Sequence, residues 1–147
     1  MEMIHVKLAN YELATLYKML YELELTGKQS RMRTRFCKLL ENRINETQDE
    51  RDKLIRQFAK YDENGQVVTQ KDEKQKEYIT IHDVNAFNKE MDILMREDFT
   101  LDETEERKDM LLTVSDIILN IETSFSKEDA ISYDRYCEVF ENLTYTK

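Results

Sequence analysis

Proline is absent from this 147-residue chain and glycine occurs only twice, at Gly27 and Gly65. The residues that most readily stop a helix are therefore nearly missing, so long helical runs meet little local opposition. Hydrophobic residues make up 40% of the chain, enough for a core at this length without disulfide or metal staples. The expectation is a mainly α protein with a minor β contribution. It would have four to five helices in one domain over residues 1–147, with a small β-element from the N-terminal strand. The polar segment 62–77 is open to flexibility.

Periodicity places the elements. Met3–Leu8 alternates apolar and polar residues and reads as a strand. Asn10 suits an N-cap, and Leu13, Leu16, Tyr17 and Leu20 recur at helical spacing. Gly27, free to take positive φ, ends that helix, and Ser30 can cap the next. Met32, Phe36, Leu39, Leu40 and Ile44 form an apolar stripe that Leu54, Ile55 and Phe58 resume. One helix from Ser30 to about Tyr61, roughly 48 Å at 1.5 Å per residue, is the simplest reading, with a bend near Asn45 as the alternative.

Asp62–Gln66 is a turn signal, and Val67–Thr69 with Tyr78–Ile81 form a candidate hairpin. Asp83 caps a third helix with Val84, Phe87, Met91, Leu94 and Met95 on its apolar side. Phe99–Leu101 is a strand candidate beside Met3–Leu8. Thr104 caps a fourth helix carrying Leu111, Val114, Ile117, Ile118 and Ile121. Ser126 with Asp129 resembles a capping box, Phe125 with Ala130 a hydrophobic staple, and the last helix carries Ala130, Tyr133, Cys137 and Phe140.

The charge pattern is uneven. The formal net charge is −9, from 31 acidic and 22 basic residues, yet Gly27–Glu41 concentrates Lys28, Arg31, Arg33, Arg35 and Lys38. Arg31, Arg35 and Lys38 share one helical face, opposite the apolar stripe. Cations at a helix N-terminus oppose the macrodipole by about 0.3–1 kcal/mol each, so an offsetting contact is expected. Two readings compete: pairing within the chain, above all with Glu97–Glu106, or a face for an acidic partner or phosphate. The predominance of arginine favours bidentate contacts to carboxylate or phosphate.

Other chemistry is sparse. Lys60–Val67 has the outline of a calcium loop, but Lys60 and Lys71 fall where acidic ligands belong. His5 and His82 have no ligand partners at recognisable spacing, and no phosphate loop or nucleophile motif occurs. No catalytic residue, metal or cofactor is expected. Cys37 and Cys137 read as buried or half-buried thiols. Tyr17 and Tyr133 fit core stripes, whereas Tyr21 and Tyr136 fall at stripe edges and could face a partner. No charged-then-apolar leader opens the sequence and no apolar run approaches span length, so the reading is a soluble protein without membrane contact.

The segments "KLANYELATLYKML", "LTGKQSRMRTRFCKLLENRI" and "DAISYDRYCEVFE" resemble a family of short proteins encoded by phages and prophages of Gram-positive bacteria. That family is catalogued only as a domain of unknown function, with no assigned active site. The resemblance implies a phage gene expressed in the host bacterial cytoplasm. The expected function is that of a non-enzymatic phage accessory protein acting by macromolecular binding. Its most concrete form is an inhibitor of a host defence complex such as CRISPR–Cas, with Lys28, Arg31, Arg33, Arg35 and Lys38 as partner-binding residues. The alternative is a virion-assembly factor, a chaperone or minor structural protein that self-associates. A third reading, nucleic-acid binding through the basic helix, is opposed by the net charge.

Overall fold

The computed structural model describes residues 5–145 and places five helices and four strands among them. The mainly α reading with a minor β-element holds. The chain divides into two compact units: one from the chain up to Ile44 and from Glu97 onward, the other from Asn45–Arg96.

In the first unit, β1 (His5–Ala9) pairs antiparallel with β4 (Asp98–Asp102), setting Val6 opposite Leu101 and Leu8 opposite Phe99. The expected strand pairing is therefore present, although Met3 and Ile4 lie outside the described residues. Period-two alternation does the sorting. Val6, Leu8 and Leu101 are buried, while Lys7 points outward and pairs with Asp98 at 3.3 Å.

Helix α1 (Asn10–Tyr21) starts directly from the strand. The N-cap is Ala9 rather than Asn10. Alanine has no side-chain acceptor, so Glu12 supplies the only half of a capping box available, accepting from the Ala9 N–H at 3.0 Å. Asn10 is buried instead, its side-chain oxygen accepting from Arg43 Nε at 2.9 Å. Leu13, Leu16 and Leu20 face the core.

Helix α2 (Gly27–Phe58) is continuous past Asn45 and opens three residues earlier than Ser30, at a glycine with φ +56°. Its first half contributes Met32, Phe36 and Leu40 to the same core, where α4 (Lys108–Leu119) adds Leu111, Val114 and Ile118. Thr104 does not cap α4. It accepts from the Arg107 N–H in the turn that precedes it. Helix α5 (Lys127–Glu141) begins after Ser126, but the expected capping box is not formed, since Ser126 makes no side-chain cap bond. Phe125 stacks on Tyr133 (centroids 4.5 Å apart) rather than stapling to Ala130. The α5 residues that reach the core are Tyr136, Val139 and Phe140, with Phe140 edge-on to Phe36 at 5.7 Å.

In the second unit, the remainder of α2 leads into an antiparallel hairpin of β2 (Thr69–Lys71) and β3 (Glu77–Ile79). Two turns of the same form organise this polar stretch. Asp62 accepts from the Asn64 and Gln66 N–H groups, and Asp72 from those of Lys74 and Lys76, all at 2.8–2.9 Å. The fourth residue of each turn is left-handed: Gly65 at φ +76° and Gln75 at φ +66°. Helix α3 (Val84–Arg96) follows, capped by Asp83, which accepts from the Ala86 N–H at 3.1 Å. Leu94 is buried and Phe87 meets Phe58 edge-on at 5.9 Å, but Val84, expected inside, is exposed.

Two stability outcomes follow from this packing. Phe36→Ala removes a fully buried ring from the centre of the first unit and should cost about 3–5 kcal/mol in denaturant unfolding. Gln75→Gly relieves a left-handed non-glycine residue and should stabilise by about 0.5–1 kcal/mol, whereas Gly65→Ala should destabilise by about the same.

Candidate functional site

The first turn of α2 contains no acidic residue, so its dipole has no compensation from its own sequence. Because the helix starts at Gly27, the cation in that turn is Lys28, and Asp109 of α4 meets it at 2.6 Å. Both side chains are more than half exposed, which limits the pair to about 0–1 kcal/mol. Arg31, Arg35 and Lys38 lie beyond the first turn, where the dipole penalty has faded.

Arg33 has a different task. Its guanidinium Nη1 donates to the Leu20 and Leu23 carbonyls, at 2.6 and 2.8 Å. These carbonyls belong to the end of α1, where the helix leaves acceptors unpaired and the macrodipole is negative. Arg33 therefore clamps the α1 terminus to α2.

Arg31, Arg35 and Lys38 are exposed and have neither a hydrogen bond nor an ion pair among the described residues. Met32, Phe36 and Leu40 on the opposite side are buried. The acids of Glu97–Glu106 do not compensate them. Asp98 pairs with Lys7, and Glu103 accepts from the Thr144 N–H at 2.7 Å. The structure thus separates the five cations: Lys28 and Arg33 are held within the chain, and the other three form an open face.

A groove of about 620 Å³ runs beside this face, between α1 and α2, lined in part by Tyr17, Tyr21, Arg33, Cys37, Lys38 and Glu41. Tyr17 and Tyr21, four residues apart on α1, stack with centroids 5.7 Å apart and planes 12° from parallel. Tyr21 is 67% exposed, so its ring is open to solvent. Desolvation, with the nearby Glu41 carboxylate adding to it, raises the Tyr17 hydroxyl above its ordinary pKa. Burial pushes the Cys37 thiol up to about 11, only partly offset by Arg33.

Three other tyrosines hold the fold. Tyr136, expected at a stripe edge, is 2% exposed and donates to the Glu12 carbonyl at 3.3 Å. Tyr133 donates to the Ile118 carbonyl and Tyr145 to that of Thr104, at 2.7 and 2.6 Å. The Tyr17–Tyr21 stack was missed from sequence, although the i, i+4 spacing was a signal for it.

Among the described residues no three His, Cys, Asp or Glu side chains gather as a metal-ligand set, and no helix is long and apolar enough to cross a membrane. Comparison with protein-family models, curated proteins and solved structures finds no match.

The division of labour among the cations gives a direct test. Arg33→Ala should lower stability by about 1.5–3 kcal/mol, the range for hydrogen bonds from a charged donor, while Arg31→Ala should stay within about 0.5 kcal/mol of the parent. For Cys37, a pKa near 11 against an ordinary 9.0 leaves about a hundredfold less thiolate at neutral pH. Its labelling by a thiol reagent in the native protein should be slowed at least that much relative to the unfolded chain.

Proposed function

We propose that this protein acts without catalysis, by binding an acidic protein surface through Arg31, Arg35 and Lys38. The observation that supports this is the open cationic face itself. In a chain with 31 acidic residues, these three neighbouring cations have no partner among the described residues. An exposed face of one sign on a protein of the opposite net sign focuses attraction locally and orients an encounter. Two of the three are arginines, whose planar donors suit carboxylates. A nucleic-acid partner is opposed by the net charge of −9, which repels a polyanion as the surfaces approach.

In the setting that the sequence resemblance implies, the partner is a host protein, most concretely a component of a defence complex such as CRISPR–Cas. Binding would occlude an acidic surface that the complex needs. The alternative, a virion-assembly role, predicts phage structural proteins as the bound species.

The test is the triple variant Arg31→Glu/Arg35→Glu/Lys38→Glu. None of these side chains has a bond among the described residues, so its melting temperature should match the parent within about 2 °C. Capture of partners from infected host cells should be lost in the same variant. A marked drop in melting temperature would show that the cations support the fold. Unchanged capture would show that partners are bound elsewhere.

A further inference from the structure

The groove between α1 and α2 adds chemistry that the cationic face alone does not have. Three different recognition elements line it: the stacked Tyr17–Tyr21 pair, the Lys38 ammonium and the Glu41 carboxylate. Lys38 belongs to both groove and face, so an occupant of the groove also reaches the cations. Resting on the protein-binding reading above, we infer that this groove takes a donor-bearing aromatic side chain of the partner, tryptophan or tyrosine, flanked by a carboxylate.

Each part of the inference answers to one element. Tyr21 is stacked on one side and open to solvent, so it offers an aromatic platform to a second ring. Glu41 is exposed and accepts only, so the ring that best suits the groove carries an N–H or O–H, which phenylalanine lacks. Lys38 has no partner among the described residues and matches a neighbouring carboxylate. The volume of about 620 Å³ falls within the range of ligand clefts, roughly 300–1,000 Å³, and leaves room for a ring with adjoining backbone. A nucleotide would use the same ring platform, so the choice of a peptide rests on the protein-binding reading above, and oligothymidylate is the competing ligand in the test.

The occupant can be followed directly, because the protein contains no tryptophan. The probe is the peptide acetyl-Asp-Glu-Trp-Glu-Asp-amide, titrated with the full chain and read by its own fluorescence. Its alanine counterpart and a short oligothymidylate are titrated in parallel by calorimetry. The tryptophan peptide should saturate with a blue-shifted emission and bind about fivefold tighter than the alanine peptide. Tyr21→Ala should erase that advantage, Tyr21→Phe should keep it, and Lys38→Glu should weaken both peptides. Equal binding of the two peptides, unaffected by Tyr21→Ala, would overturn the groove assignment while leaving the cationic face as the binding element. Binding of neither peptide would overturn both. Tighter binding of oligothymidylate than of the tryptophan peptide would overturn the protein ligand in favour of nucleobases.

Discussion

The antiparallel pairing of β1 with β4 is the constraint on which the first unit depends. It joins the start of the chain to the point where the chain re-enters that unit after Arg96. A two-stranded ladder is marginal on its own. This one persists because Val6, Leu8 and Leu101 lie buried in one core with Leu13, Phe36, Leu111 and Phe140. The ladder also sets the origin of α1. Ala9 is at once the last residue of β1 and the N-cap of the helix, and the Asn10 N–H donates to the Glu97 carbonyl at 2.9 Å. Glu12 then carries the constraint further. One carboxylate oxygen accepts from Ala9 and the other pairs with Arg135 of α5 at 3.0 Å, while the Glu12 backbone accepts from Tyr136. A single half-buried acid thereby ties strand, first helix and last helix together.

Charge follows an equally specific allocation. Cations cluster in the first turns of α2, yet the five meet three different fates because of where the helix begins and what packs around it. The start at Gly27 moves Arg31, Arg35 and Lys38 away from the end of the dipole, which removes most of the local conflict. Arg33 uses its charge where a charge is most useful, on two backbone carbonyls at the end of α1. Only the remainder is available to a partner. Such sorting explains how an acidic protein can hold a small basic face without cost to its fold.

The polar stretch that leads into α3 shows how short side chains can substitute for a core. Its burial is slight, and β2 and β3 are exposed throughout. Order there comes from the two aspartate-centred turns and from a chain of backbone bonds. The Lys60 N–H donates to Thr80, that of Thr80 to Val68, and that of Val68 to Lys60, all at 2.8–2.9 Å. Aspartate side chains that accept from their own following N–H groups are a known source of local order in turns.

The sequence by itself determined the elements of the first unit. Alternation in β1, the i, i+3, i+4 stripe of α1, the near-absence of helix breakers in α2 and the strand at Phe99–Leu101 were all legible, because each is a local periodic consequence of burying one side. The side of α2 that carries Arg31, Arg35 and Lys38 was legible for the same reason. Tertiary structure decided what periodicity cannot encode. Ser30 and Thr104 were plausible caps, but helix starts depend on which neighbouring backbone groups need partners. Tyr21 and Tyr136 looked alike at stripe edges. Tyr21 is exposed at the end of α1, whereas Tyr136 is buried where α5 meets the first turn of α1, donating to the Glu12 carbonyl. Spacing set Arg33 off the face of Arg31 but could not name its partners, since the carbonyls it satisfies lie 10 and 13 residues away in sequence. A local pattern can say which way a side chain points; only the packed chain supplies the group it meets.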